Sequence, residues 1–484
     1  SRSGPLFCPT RSCLGAEPRW VSFRAADAMG DSRSSLNLGN DEESPSSRRP
    51  CHERWLSPLT ENGFRSGMLT LTTTALGGGV LSVAYVMNMC GMVLGCLMLA
   101  LGALLAYLGM SALMEMSTKT NCNSYAALFS HCAGPAAGPI LDAMLFVYGN
   151  GACVGYMVFI GDFIPAIIAL MLPEEAWAQN TTGITRTVSI AVAAALLIPM
   201  MLPEDLSRLK FLQPVSIVAL MYMSLVVALK SPSSFKRFDH QPSFGDVRLI
   251  TVDAHFFEAF SLCVFAFNCH LNVVPTANQL TRPTRERTKK IASRVNVFQC
   301  IFYCLIGVTG YLSFLDQTCS DILNNYNPKD GFVAAGRCFL TLTMMVAIPA
   351  NLNPTVKSGV QLKDYFSSAE PLISRATSTP RISSDRACFR ITVSVLCLAC
   401  QAALAVVVPN VGTVLSLLGA TVATAMMLII PAYCMGVVME KTVKRQLQQA
   451  LLYFCSLLSV ASVPITFLEL ANLMGKPPVC NRHI

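Results

Sequence analysis

Charge is what this chain has least of. Asp, Glu, Lys and Arg together make up 13% of its 484 residues, whereas 53% are apolar and the mean hydropathy is +0.50. A soluble domain carries about 25% charge, so a chain of two or three soluble domains, which the length alone would suggest, is excluded. No G-x-x-x-x-G-K-[ST] phosphate loop is present, which removes ATP-driven work, and neither H-E-x-x-H nor G-x-S-x-G occurs. The commonest hydrolase constellations are therefore missing, and the chain does not read as an enzyme. Residues 1–66 contain no apolar run of the signal-peptide kind.

What is present in abundance is long apolar runs, several above the 18 or so residues that cross a hydrocarbon core. The composition is that of an all-α polytopic membrane protein embedded in a lipid bilayer. The net charge of +8 does not indicate nucleic acid, because the basic residues lie in the N-terminal tail and between apolar runs rather than in a basic domain. Most of the 20 cysteines lie inside those runs, where Cys acts as a small hydrophobe. Cys397 and Cys400 form a CxxC with no further metal ligands evident nearby, so no metal or other cofactor is expected.

Residues 1–66 are rich in Pro, Ser, Arg and acidic residues and lack periodicity, which predicts a disordered tail ahead of a transmembrane domain over 67–484. Met29 opens MGDSRS, an N-myristoylation-like pattern if that methionine is the initiator. The apolar runs fall near 68–91, 92–116, 138–171, 185–202, 209–229, 255–280, 295–315, 332–356, 387–408, 411–437 and 447–471, which predicts eleven transmembrane helices. Basic residues concentrate in the links after the sixth run (TRPTRERTKKIASR), the eighth and the tenth, with a milder excess after the fifth. The positive-inside rule places the links after the sixth, eighth and tenth runs and the N-terminus in the cytosol, with the link after the fifth as an exception. The one N-x-[ST] sequon, at Asn180, falls in a link on the opposite side and is a candidate glycosylation site. The two signals agree on orientation.

Two runs are interrupted. The first, LTTTALGGGVLSVAYVMNMCG, puts Gly77, Gly78 and Gly79 in mid-span, each costing a helix about 1 kcal/mol relative to alanine. Backbone freed there must be satisfied by protein or ligand, and Thr72–Thr74, Ser82 and Tyr85 flank it. The sixth carries Asn268, His270, Asn272 and Pro275 where an apolar helix would be unbroken, and Pro275 removes a donor. Interruptions five helices apart fit a five-plus-five inverted repeat, whose broken helices meet at the midplane and offer half-helix ends to a zwitterion. The other glycine pairs, Gly134/Gly138 and Gly151/Gly155, read as packing positions.

At these residues the chain resembles a family. GGGVLSVAYVMNMCGMVLG is similar to the first-helix signature of the amino acid/auxin permeases, FAFNCHLNVVPTANQL to their sixth-helix segment, and YMVFIGDFIP and GYLSF to their third and seventh. The resemblance covers most of residues 68–471. It implies a LeuT-type fold, with broken helices 1 and 6, and secondary transport of amino acids. Substrate contacts are implied at Gly77, Gly78, Gly79 and Val80, and at Phe265, Ala266, Phe267 and Asn268. Where sodium-coupled members place an asparagine four residues before the first glycine this chain has Thr73, and alignment through AIPANLNP puts Ala347 at the eighth-helix threonine.

Both departures favour proton-coupled or uncoupled transport over sodium coupling. Intramembrane ionisable groups then become coupling candidates: Asp162 and His270 first, with Asp142 and Glu258 behind them. A competing reading is an amino-acid sensor that uses the same pocket and signals through its tail. The plasma membrane is favoured over a vacuolar or lysosomal one.

Overall fold

The computed structural model describes residues 63–170, 183–201, 213–234, 246–281, 283–367, 384–408 and 410–473, all within the unit that runs from Leu59 to Ile484. The tail, the Asn180 sequon and the methionine at 29 lie outside these residues. Among the described residues the secondary structure is entirely helical. In chain order the helices are α1 (Phe64–Ala75), α2 (Val83–Cys90), α3 (Met92–Thr120), α4 (Tyr125–Ala133), α5 (Ala137–Ala169), α6 (Gly183–Met201), α7 (Gln213–Ser234) and α8 (His255–Ala266). There follow α9 (Val273–Gln279), α10 (Arg285–Phe314), α11 (Gly331–Ser367), α12 (Ser384–Val407), α13 (Val411–Leu418), α14 (Ile430–Val438), α15 (Val443–Val460) and α16 (Val463–Leu473).

Among the described residues, eight helices or helix pairs are long and apolar enough to cross a membrane, nine when the bent pair Phe64–Ala75 and Gly78–Cys90 is taken as one span. Two shorter apolar helices, Thr185–Met201 and Val215–Ser231, coincide with the fourth and fifth apolar runs. The sequence boundaries hold to within about five residues except at the end of the eighth run, where α11 continues to Ser367, and at the start of the seventh. There α10 begins ten residues before the apolar stretch, because Thr284 caps the basic segment by accepting a hydrogen bond from the Arg287 N–H, at 3.4 Å. A basic link can be helical when a cap supplies the missing acceptor. The short helix α4 has no counterpart among the apolar runs; Ser124 caps it in the same way.

The core forms where the broken helices cross their neighbours. Apolar residues of α2, α3, α5, α8 and α10, among them Met87, Leu99, Phe159, Phe260 and Tyr303, are fully buried against one another, while Leu97, Val188, Leu225 and Ile301 remain exposed. Exposed apolar side chains of this size suit a lipid-facing surface. The glycine pair Gly151/Gly155 does serve packing: a Cβ on either would press into Leu418 or Leu415 of α13, at 2.5 and 3.2 Å.

Candidate functional site

The first span breaks just ahead of the glycine run. α1 ends at Ala75, Gly77 is extended (φ −109°, ψ −167°), and a short 3-10 segment, Gly78–Ser82, leads into α2, bent by 51° from α1. The three glycines have three different surroundings. Around Gly77 there is nothing within 4 Å of an added Cβ. At Gly78 a Cβ would lie 3.3 Å from Tyr156 and Phe159, and at Gly79 it would lie 3.1 Å from the Ala266 Cα. Glycine at position 79 thus lets the two broken helices touch backbone to backbone.

The second break lies at Phe267–Cys269, between α8 and the 3-10 turn His270–Asn272. Pro275 is not its cause. It is the third residue of α9, where the missing N–H is one that a helix start leaves unpaired anyway.

What holds the two breaks is a pair of side chains on α10. Gln299 Nε2 donates to the Ala75 and Ala266 carbonyls, both at 3.0 Å, and the Tyr303 hydroxyl lies 3.1 Å from each of the same two oxygens. Gln299 Nε2 also lies 3.0 Å from the Tyr303 oxygen, so that the two side chains share their three protons among these acceptors. Carbonyls released from helical pairing inside an apolar core cost about 1–3 kcal/mol each when unsatisfied. One amide and one phenol, both buried, satisfy the last carbonyl of each half-helix.

Between the breaks lies a cavity of about 110 Å³. Gly77, Gly78, Gly79, Phe265, Ala266 and Asn268 line it, together with His270. Val80 and Phe267 do not. Both are buried behind it, Phe267 with its ring 5.1 Å from that of Tyr303 and against Gly102. Thr73 is also absent from the lining: its hydroxyl donates to the Thr70 carbonyl at 2.8 Å, while its neighbour Thr74 faces the cavity. Ala347 does not reach the cavity, but Asn351, one turn on, does. The lining contains no Asp, Glu, Lys or Arg. Its polar groups include the first N–H groups of the Gly78 half-helix, which have no partner within the helix, and the side chains of Thr74, Asn268, His270, Asn272, Asn351, Tyr148 and Tyr156. Such a surface complements a small solute whose own charges cancel, with the positive end of the half-helix available to a carboxylate.

The ionisable candidates separate from this cavity, with one exception. His270 is fully buried at its edge, neither ring nitrogen has a hydrogen bond of ordinary geometry, and Nε2 packs toward Gly109 of α3. Asp162 on α5 pairs with Arg186 of α6 at 3.1 Å and accepts from Asn324 at 3.0 Å. Asp142 accepts from Ser358 at 3.3 Å, and Glu258 meets His255 at 3.3 Å with Glu469 of α16 close by. At the other end of α3, Glu115 holds Arg445 at 2.8 Å and Arg285 at 3.2 Å.

Sequence reasoning did not find Gln299, Tyr303, Tyr148 or Asn351. Gln299 carried a usable signal, a carboxamide in mid-run between Phe298 and Phe302. Tyr148 and Asn351 carried none, since a tyrosine or asparagine in a span reads as packing.

The geometry is that of a helical membrane protein with a small neutral cavity at two facing helix breaks. The chain matches the family described as "Transmembrane amino acid transporter protein" over residues 60–471, and it belongs to that family, whose members are transporters and not enzymes. Over 335 residues it is 27% identical to AAT1 of Toxoplasma gondii, an amino acid transporter by name, covering 69% of this chain and 45% of that protein. It is 25% identical over 373 residues to sodium-coupled neutral amino acid transporter 7 of Rattus norvegicus, covering 75% and 77% of the two chains. To vacuolar amino acid transporter 6 of Saccharomyces cerevisiae it is 26% identical over 332 residues, covering 66% and 71%. The chain spans about half the length of the first of these relatives, the AAT1 proteins.

Proposed function

We propose that this protein is a secondary active transporter of amino acids that works by alternating access, coupled to protons or to no ion rather than to sodium. The observation that carries the reading is the junction at Ala75 and Ala266. Two half-helices end on one cavity, their terminal carbonyls are capped by Gln299 and Tyr303, and the amide end of the next half-helix is left facing that cavity. The zwitterion would lie against Gly77, Gly78, Gly79, Phe265, Ala266 and Asn268, with Val80 and Phe267 shaping the pocket from behind. The capping also bears on the ion. Carbonyls already engaged by the Gln299 amide and the Tyr303 hydroxyl are poorly placed to ligate sodium, and neither Thr73 nor Ala347 offers the cavity a side-chain oxygen. One relative is named as sodium-coupled, so the ion is a point on which this chain is proposed to differ from it.

In this reading the eleven apolar runs are eleven spans of a LeuT-type repeat, the membrane domain starts near residue 67, and the N-terminus is cytosolic. Cys319, in the loop between α10 and α11, is disulfide-bonded. Disulfides persist on oxidising faces, which supports placing that loop outside and agrees with a glycosylated Asn180. Purified protein in liposomes tests the function. Amino-acid uptake should follow an imposed pH gradient, or the amino-acid gradient alone, and should be unchanged when sodium is replaced by choline. Uptake that requires sodium overturns the ion assignment, and no uptake under any gradient overturns transport. Tagged full-length protein in cells would decide between plasma and vacuolar membranes.

A further inference from the structure

The loop between α10 and α11 contains an acid for which the substrate cavity has no use. Asp321 is 1% exposed. Its Oδ1 accepts from the Leu323 N–H at 3.0 Å, and its Oδ2 is buried without a hydrogen-bond partner. A buried carboxylate with an unsatisfied oxygen is costly unless it is neutral.

The loop that carries it is tied to several elements at one end of the molecule. Asn88 of α2, in the glycine half of the first span, donates to the Asp316 and Thr318 carbonyls at 3.2 and 3.0 Å. Asn324 donates to Asp162 on α5, and Arg337 of α11 donates to the Leu323 and Tyr326 carbonyls at 2.6 and 3.0 Å. Ser320 packs on Gly412 at the start of α13. The loop therefore bridges the broken first span and the helices beside it, where a movement of one against the other would have to unseat it.

We propose that Asp321 is a proton-binding site, and that seating the 318–326 loop against α2 and α5 is linked to taking up one proton on its carboxylate from the compartment the loop faces. The charged groups facing it are Asp162 of α5, itself held by Arg186 of α6, and Arg337 of α11. Gly78–Ser82 of the first span contributes none. Burial, and next the negative charge of Asp162, push the Asp321 carboxyl up to about 8; the Leu323 N–H and Arg337 offset this only in part. Arg337 is turned to the two carbonyls, and Arg186 is already engaged by Asp162 and the Ala405 carbonyl.

The sign follows from linkage. In the seated loop the acid titrates near 8, and in a lifted, solvated loop near its ordinary 3.8. The protonated form therefore favours seating. That advantage is complete below about pH 4, falls by up to tenfold per pH unit between about 4 and 8, and is gone above 8. The proton comes from bulk solvent as the loop seats and returns there as it lifts, so the site gates and need not itself carry the coupled proton.

The proposal rests on the transport reading only in supposing that this loop moves. Infrared difference spectroscopy of the full-length protein, titrated from pH 5 to 9, should show a protonated-carboxyl stretching band that disappears with a midpoint near 8 in the wild type and is absent from Asp321→Asn. A wild-type band that survives in Asp321→Asn overturns the assignment, as does the absence of any such band. The asparagine keeps the shape of the neutral acid, so it should fold and hold the loop seated at every pH. In liposomes with the same pH on both sides and a fixed amino-acid gradient, wild-type uptake should change through an inflection near pH 8, and Asp321→Asn uptake should lack that inflection. An unchanged pH profile in the variant overturns the link to gating. The infrared result stands even if no amino acid is moved, so the two readings fail separately.

Discussion

The two helix breaks in this protein are made differently. The first contains three glycines in a row, whereas the second, Phe267–Cys269, contains neither glycine nor proline and has its one proline, Pro275, safely inside the first turn of α9. Yet both end on carbonyls held by the same two side chains, Gln299 and Tyr303. A break can thus be set by what the released carbonyl finds across the interface as well as by what the local chain tolerates. Glycine at the first break serves the approach of one backbone to another more than the unwinding itself, since helix α1 has already ended at Ala75 before the glycines begin.

The contact between the breaks should be the most sensitive point. A valine at position 79 would drive its Cβ to 3.1 Å from the Ala266 Cα, a backbone atom that cannot rotate away, and overpacking of this kind costs about 1–3 kcal/mol or more. Gly79→Val should reduce uptake at least a hundredfold while the protein still reaches the membrane, as checked by surface labelling beside flux. Wild-type flux in that variant would mean that the two half-helices do not meet in the working protein.

The next effect tests the cap. Gln299→Leu removes a donor from both carbonyls at once and leaves Tyr303 alone to serve them, so it should destabilise the protein by about 1–3 kcal/mol, seen as a lower melting temperature in detergent. Tyr303→Phe keeps the amide and the ring packing against Phe267, and should cost about 1 kcal/mol. If both variants melt with the wild type, the carbonyls find other donors and the second break needs another explanation.

This asymmetry also decides how much could be read from the sequence. The apolar runs gave the helices, because a run of twenty apolar residues has few other fates, and Gly77–Gly79 marked the first break because nothing else in a span looks like three glycines. Asn268 and His270 mark the neighbourhood of the second, but Pro275 lies about two turns beyond the break it is expected to cause. The true partner, Gln299, is 33 residues from Ala266 and 224 from Ala75, and no local pattern carries a contact of that range. The same limit hid Asn351 and Tyr148 from the cavity list and let Val80 and Phe267 into it: helix register tells which residues share a face, but which face meets the cavity depends on how α5, α10 and α11 pack.

The smallest effect should come from the residue that looks most like its neighbours. Gly77 has a negative φ and nothing within 4 Å of an added Cβ, so Gly77→Ala strains no backbone and displaces no side chain. The methyl group would enter the cavity itself, which has only about 110 Å³ to give. Stability and uptake of the smallest amino acids should stay within about twofold of wild type, the scale of a surface substitution below 0.5 kcal/mol, while KM for larger side chains rises. A competition panel from glycine to phenylalanine measures this directly. A uniform loss across the panel would mean that Gly77 is needed for the bend, as the unbroken glycine run first suggests. A size-graded loss would confine that role to the other glycines and leave Gly77 as part of the wall that selects the substrate.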